Sequence, residues 1–213
     1  NYTRKNYKMK SNETKKITLS LLETFNEAGN IALNLRKVGL KKKIKSDNTP
    51  VSNGDIEVNK ILIKKISELT PNIIIVSEEN SAHKNDKDLK NFWLIDPIDG
   101  TNDYINNRDE FTLNAALILD KKPAIGIVTA PAKQRVFYSY AMSNSYELVN
   151  NKEIELINKK KKYEGIKAVS YSNELKTEIL KIHKKNKISS FQKMKSSLKS
   201  VSYTHLTLPT KRI

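Results

Sequence analysis

Three short acidic segments stand out in an otherwise basic chain, and their residue types and spacing are those of metal and phosphate chemistry. The densest is Trp93-Leu94-Ile95-Asp96-Pro97-Ile98-Asp99-Gly100-Thr101. Its apolar run reads as a strand that delivers Asp96. Pro97 is expected to end that strand, since it has no N–H for the ladder, and to turn the backbone so that Asp99 swings back beside Asp96. The Ile98 carbonyl inside that turn is a third oxygen. Gly100 permits close backbone approach, and Thr101 brings a hydroxyl and an amide to the start of a helical turn. The second segment, Val76-Ser77-Glu78-Glu79, puts two carboxylates where an apolar strand ends, and the third, Asp47 to Asp55, leads into a helix. Oxygen-only ligands in a tight loop suit a hard cation such as Mg²⁺, and free amides at a helix start suit a phosphate. Together they point to metal-assisted phosphoester hydrolysis. Taken singly, Asp-Gly is a turn, Glu-Glu after a strand is a solvated pair and Asp55 is a helix cap. The combination of all three favours chemistry.

Composition narrows the alternatives. The 213 residues contain no cysteine, which removes disulfide scaffolds, thiolate metal sites and cysteine nucleophiles. Only His83, His183 and His205 supply imidazoles, none at metal-ligand spacing from another, and they are expected at the surface. With 38% hydrophobic and 29% charged residues the chain reads as a soluble globular protein with a core. Its formal net charge of +16 comes mainly from lysine, since Arg4, Arg36, Arg108, Arg135 and Arg212 are the arginines. Base reading and phosphate clamping lean on arginine, so nucleic acid is not the expected partner. No run approaches the roughly 20 apolar residues of a membrane span. Stable membrane insertion is not expected; the default location is the cytoplasm, with association at the inner face of the membrane left open.

The elements that must position the acids follow from periodicity. Residues 12–38 predict an amphipathic helix, with Ile17, Leu21, Leu22, Phe25, Ala28, Ile31, Ala32 and Leu35 on one face. Residues 41–51 read as an extended, charged connection. A second helix is predicted from Asn53–Asp55 to the stop at Thr70-Pro71. Strands are predicted at 73–77 and 92–96, then antiparallel strands at 111–119, 123–129, 135–140 and 146–149, with the clearest turn at Asp120-Lys121-Lys122. After the basic patch Lys159–Lys162 come a strand at 166–170, a helix at 173–184 and a strand near 188–191. Trp93 is expected in the core.

The expected organisation is an N-terminal α+β metal- and phosphate-binding domain over residues 9–152 and a partial C-terminal α/β domain over 153–200. Residues 1–8, ahead of the first methionine Met9, are expected to be upstream read-through. The tail from Val201 to Ile213 has no period and resembles the translation of a sequencing adaptor, so it is expected to be non-native.

The segments VSEEN at 76–80, WLIDPIDGT at 93–101 and DNTPVSNGD at 47–55 resemble the inositol monophosphatase-like, Mg²⁺-dependent phosphatases, over residues 17 to 199. Within that family KSDNTPVSNGD, the stretch from Ile105 to Ser139, and KSSLK at 195–199 are most similar to the bacterial 3'(2'),5'-bisphosphate nucleotidase branch. The resemblance implies a layered α/β/α sandwich of the sugar-phosphatase type with an incomplete second domain. It implies two or three Mg²⁺ ions, held by Glu78, Asp96, the Ile98 carbonyl and Asp99. Thr101, oriented by Asp55, would help activate a water for in-line attack on phosphorus. The Gly100 and Thr101 amides, with Ser196 and Ser197, would contact the substrate. The implied reaction removes the 3'-phosphate of adenosine 3',5'-bisphosphate to give AMP, clearing a by-product of sulfur assimilation. Alternatives are an inositol monophosphatase or other sugar phosphatase and, in a different class, a basic non-catalytic protein that binds nucleic acid or another anion. A small phosphorylated molecule is the expected partner, and the assembly a monomer or homodimer.

The chain also departs from the family pattern. A W-D-x-A-A-like motif carrying another metal carboxylate does not follow KSSLK, so turnover by the 213-residue chain is expected to be poor. Lys195 replaces a glycine, Ser170-Tyr171-Ser172-Asn173 stands where the branch has S-R-S-H, and Asn102-Asp103-Tyr104 follows Thr101.

Overall fold

The computed structural model describes residues 9–46, 48–80, 83, 86, 88–141, 143–150, 152–156, 166–170, 174–193 and 196–197. Both segments expected to be foreign, 1–8 and 201–213, lie outside the described residues, as do Asp47, Lys159–Lys162, Tyr171–Asn173 and Lys195.

Helix α1 (Ser11–Val38) begins where Glu13 reaches back to accept from the Lys10 amide at 2.7 Å, and ends at Gly39, whose φ of 109° leaves helical space. Its inner face holds Leu21, Phe25, Ala28 and Ala32 as the periodicity predicts, and also Thr14 and Thr18. The Thr18 hydroxyl donates to the Thr14 carbonyl at 2.8 Å, which lets a polar side chain sit in an apolar face. The expected charged connection is a short antiparallel hairpin, β1 (Lys42–Ile44) and β2 (Pro50–Ser52). Helix α2 (Asn53–Leu69) is capped by Ser52, one residue before the predicted start.

Seven strands form one sheet in spatial order β3 to β9: β3 (Ile74–Ser77), β4 (Phe92–Asp99), β5 (Thr112–Leu119), β6 (Lys122–Ala130), β7 (Arg135–Tyr140), β8 (Ser145–Val149) and β9 (Lys152–Leu156). Only β3–β4 is parallel; the remaining pairs are antiparallel. At the β5–β6 turn Asp120 and Lys121 both take positive φ, the two-residue geometry that matches strand twist. Strand β9 goes beyond the sequence expectation: it extends the sheet as an edge strand to Leu156. Helices α1 and α2 pack on one face of the sheet, against Trp93, Ile95, Leu113, Leu117, Ile125 and Ile127. Trp93 is fully buried, and its indole N–H donates to Thr70 Oγ1 at 3.0 Å. The architecture is the expected layered α+β class.

A separate pair, β10 (Ile166–Ser170) and β11 (Ile188–Lys193), runs parallel and is joined through α4 (Thr177–Lys185). This helix starts four residues after the predicted Asn173, and no side chain caps it. None of its residues is buried. Among the described residues no helix is long and apolar enough to cross a membrane.

Candidate active site

The site is organised by an irregularity in β4. The strand does not end at Pro97, as the sequence suggested; it continues to Asp99. Asp96 stands opposite Asn114 and Asp99 opposite Thr112, so Pro97 and Ile98 together face the single residue Leu113. This is a bulge, and Pro97 fits it because a bulge leaves a position that needs no ladder donor. The consequence is directional. Side chains alternate along a regular strand, so residues three apart point to opposite faces. The extra residue brings Asp96 and Asp99 back to the face of Thr112 and Asn114. The predicted neighbourhood of the two aspartates therefore holds, by a different device.

Beyond Asp99 the chain passes Gly100 into the short helix α3 (Thr101–Ile105). Gly100 has φ 91°, and a Cβ there would lie 3.0 Å from the Glu110 carbonyl oxygen and 3.5 Å from Ser196 Cβ. Both conformation and crowding demand glycine. The Thr101 hydroxyl lies 3.1 Å from Asp55 Oδ1 and 3.0 Å from the Ile98 carbonyl oxygen. Asp55 occupies the first turn of α2, where its Oδ2 accepts from the Ser52 amide at 2.8 Å and the Ser52 hydroxyl at 2.6 Å. The cap role and the site role thus fall on one carboxylate, one oxygen each. Burial raises the Asp55 pKa, against the hydrogen bonds from Ser52 and Thr101.

Glu78 and Glu79 follow β3 and behave differently from one another. Glu79 forms a 2.6 Å ion pair with Lys45, while Glu78 lies 3.9 Å from the same ammonium. Burial alone would lower the Lys45 pKa, but Glu79, Glu78 and Asp55 outweigh it and hold it raised. Sequence reasoning assigned Lys45 no role. The signal was present: it begins the KSDNTPVSNGD segment, 34 positions ahead of the acid it meets. Asp96 has the most perturbed acid of the group. Burial first, then the charge and hydrogen bond of Glu78, then the charges of Asp99 and Asp55 push its pKa up to about 8. Its Oδ1 is buried without a hydrogen-bond partner among the described residues.

Asp99 Oδ2 accepts from both the amide and the hydroxyl of Ser197, the latter at 2.7 Å, across 98 positions of sequence. Ser197 in turn meets Asn114 Nδ2 at 3.1 Å. Ser196 is buried, with φ 53°, beside Gly100. All the predicted site residues therefore gather around the β4 bulge and α3. A cavity of about 590 Å³ lies elsewhere, between α1 and the turn after β6, and none of the site residues lines it.

A hard cation is the group these residues invite. Among the described residues no group of three or more His, Cys, Asp or Glu side chains is placed to hold a metal ion. The donors are gathered pairwise, Glu78 with Asp96 and Asp96 near Asp99. The unpartnered buried Asp96 oxygen, its raised pKa and the all-oxygen donor set nevertheless fit a divalent cation, whose charge would offset the crowding of carboxylates.

A family model, that of the Inositol monophosphatase family, matches residues 13–208. The chain belongs to the inositol monophosphatase family. Among curated members, the 3'(2'),5'-bisphosphate nucleotidase CysQ of Haemophilus influenzae is 37% identical over 99 residues, covering 46% of this chain and 37% of that protein. The chain thus matches well under half the length of this relative. Among solved members, CysQ from Bacteroides thetaiotaomicron superposes with a TM-score of 0.70 at 20% identity, covering 90% of this chain and 77% of that one. An IMPase/NADP phosphatase complexed with Mg²⁺ and phosphate gives a TM-score of 0.69 at 14% identity, covering 86% and 68%. These two likenesses show the fold.

Proposed function

We propose that the protein is a Mg²⁺-dependent phosphomonoesterase that removes the 3'-phosphate of adenosine 3',5'-bisphosphate to give AMP. The observation that carries this reading is the convergence of two dissimilar sets of oxygens on the Asp96–Thr101 segment. One set, Glu78, Asp96, the Ile98 carbonyl and Asp99, would hold the cation. The other, Asp55 and Thr101, would handle a proton. A bound Mg²⁺ ion supplies charge neutralisation at the phosphoryl group and lowers the pKa of water. The number of ions, two or three, belongs to the proposal.

The chain's own residues account for the rest. Thr101 can donate to Asp55 Oδ1 and so turn its lone pairs toward the proton of an attacking water. Asp55 is held for that task by Ser52, which fixes the other carboxylate oxygen. Gly100 and Thr101 bring two backbone amides to the start of α3, where the phosphate oxygens would lie. Ser196 and Ser197, docked beside Gly100 and on Asp99, would contact the remainder of the substrate. Support for the nucleotide branch comes from the relatives named CysQ and from the Lys45–Asp55 segment. We further propose a monomer or homodimer acting in the cytoplasm on a small phosphorylated molecule.

Phosphate release from adenosine 3',5'-bisphosphate and from inositol 1-phosphate, with and without Mg²⁺, tests the assignment. The nucleotide is expected to be the better substrate. Preference for the inositol ester would move the protein to another branch. Activity unchanged by Asp96→Asn would remove the phosphatase reading and favour a basic anion-binding protein.

A further inference from the structure

Folded proteins leave few buried polar atoms unpaired, so a concentration of them calls for an explanation. Among the described residues four buried side-chain atoms lack a hydrogen-bond partner, and three of them sit at one place: Asp96 Oδ1, Asn114 Oδ1 and Thr112 Oγ1. Asn114 stands directly opposite Asp96 across the β4–β5 ladder, and Thr112 stands opposite Asp99.

The orientation of the Asn114 amide follows from proton counting. Ser197 Oγ lies 2.7 Å from Asp99 Oδ2, and a carboxylate oxygen only accepts, so the one hydroxyl proton goes to Asp99. Toward Asn114, at 3.1 Å, the same Oγ must accept, which makes the Asn114 NH₂ the donor. Oδ1 is then the atom left over. With Asp96 ionised, as cation binding requires, Asp96 Oδ1 and Asn114 Oδ1 are both acceptors and cannot satisfy one another; a donor or a cation then completes them.

We infer that Asn114 is a further residue of the cation site, offering Oδ1 as a neutral oxygen to the cation or to a water in its hydration shell. A neutral oxygen suits this position. Glu78 and Asp99 already act on Asp96 as like charges, and asparagine adds a ligand without adding a charge. The same side chain connects the Ser197 turn to the cation carboxylates, so the two chain segments would be set in register by one amide.

This inference rests on the cation-dependent reading above, and its test reads cation binding directly. Mn²⁺ binding to the full chain, followed by electron paramagnetic resonance, is to be compared for the wild type, Asn114→Leu and Asn114→Asp. Leucine keeps the size and removes both polar groups; aspartate keeps an inward oxygen and loses the donor to Ser197. The expected result is Mn²⁺ affinity weakened roughly 10-fold or more by Asn114→Leu, in the range seen when partners of metal ligands are removed, and retained in Asn114→Asp. Equal weakening in both variants would assign Asn114 to docking Ser197 through its NH₂ and overturn the inference, as would wild-type affinity in Asn114→Leu. Should the leucine variant fail to fold, Asn114→Ala takes its place. A wild type that binds no Mn²⁺ would overturn the inference together with the cation-dependent reading, whereas tight wild-type binding with an indifferent Asn114 would overturn the inference alone.

Discussion

Asp55 and Asp96 are two largely enclosed carboxylates in one site, and the fold treats them in opposite ways. Asp55 has both oxygens engaged, one by the amide and hydroxyl of Ser52 and the other by Thr101. Asp96 has an oxygen with no hydrogen-bond partner among the described residues and shares its surroundings with Glu78 and Asp99. Burial raises both acids. At Asp55 hydrogen bonds oppose the rise, and at Asp96 like charges add to it. The difference separates what folding completes from what a ligand must complete. The Asp55–Thr101 half is finished by α2 and α3 themselves. The Asp96 half crowds like charges whose ionisation costs stability, a cost that the proposed cation would offset.

The sharpest way to break that comparison is to neutralise each acid in turn. Under the proposed function Asp96→Asn and Asp55→Asn are both expected to cut phosphate release, by on the order of 10³-fold for the proposed cation ligand and about 10²- to 10⁴-fold for the proposed proton-handling pair. Their stabilities should diverge. Asp96→Asn removes a crowded charge, so urea unfolding without metal at pH 8 should show a protein at least as stable as the wild type. Asp55→Asn weakens the acceptor for Ser52 and Thr101 and should cost about 1–3 kcal/mol. A large loss of stability in Asp96→Asn would mean that the Asp96 half is also completed by the fold.

Much of this site was legible in the sequence because each acid marks the end of a locally encoded element. The 3.6-residue period of α1, the β-branched run before Glu78 and the apolar run before Asp96 are readable without a partner. What was not legible depends on register. Pro97 suggested a strand end, but whether a chain stops or bulges at a proline is decided by the opposing strand, here Leu113. Asn114 lay unnoticed inside an antiparallel strand, since its meaning comes only from facing Asp96 and meeting Ser197. Edge strand β9 escaped for the same reason, and the Lys45–Glu79 pair because its partners lie 34 positions apart. Acids at the ends of local elements were found; residues whose role is conferred by a distant partner were not.

A smaller effect tests whether the finished half really is held by packing. Tyr104, on α3, is fully buried and donates its hydroxyl to the Ala32 carbonyl of α1 at 2.7 Å. Its path crosses Gly54, where a Cβ would fall 2.3 Å from the hydroxyl oxygen and 2.6 Å from ring carbon Cε1. Gly54 immediately precedes Asp55, so anything that pushes these helices apart also parts Asp55 from Thr101. Gly54→Ala should destabilise by about 1–3 kcal/mol through overpacking and lower turnover. Adding Tyr104→Phe should recover part of each, because it removes the closest atom. Urea unfolding and phosphate release on the two single variants and the double variant measure the coupling. Strict additivity would show that α2 and α3 do not constrain each other here.

The smallest effect is a slope rather than a loss. Asp96 ordinarily titrates near 3.8, and in the folded protein its pKa is raised to about 8. The folded state therefore holds a proton that the unfolded chain releases between those values. Stability contributed by that proton is complete below the lower value and declines as pH rises toward 8. Metal-free wild type should lose stability over this range relative to Asp96→Asn, which has no such proton to lose. In the proposed reading Mg²⁺ would compete for the same oxygens and bind the ionised form, so it should stabilise the wild type more at pH 8 than at pH 6. Asp55, held by Ser52 and Thr101 whatever the metal, should show no matching dependence on Mg²⁺. Parallel pH profiles for the wild type and Asp96→Asn, with and without Mg²⁺, would erase the distinction between the two carboxylates.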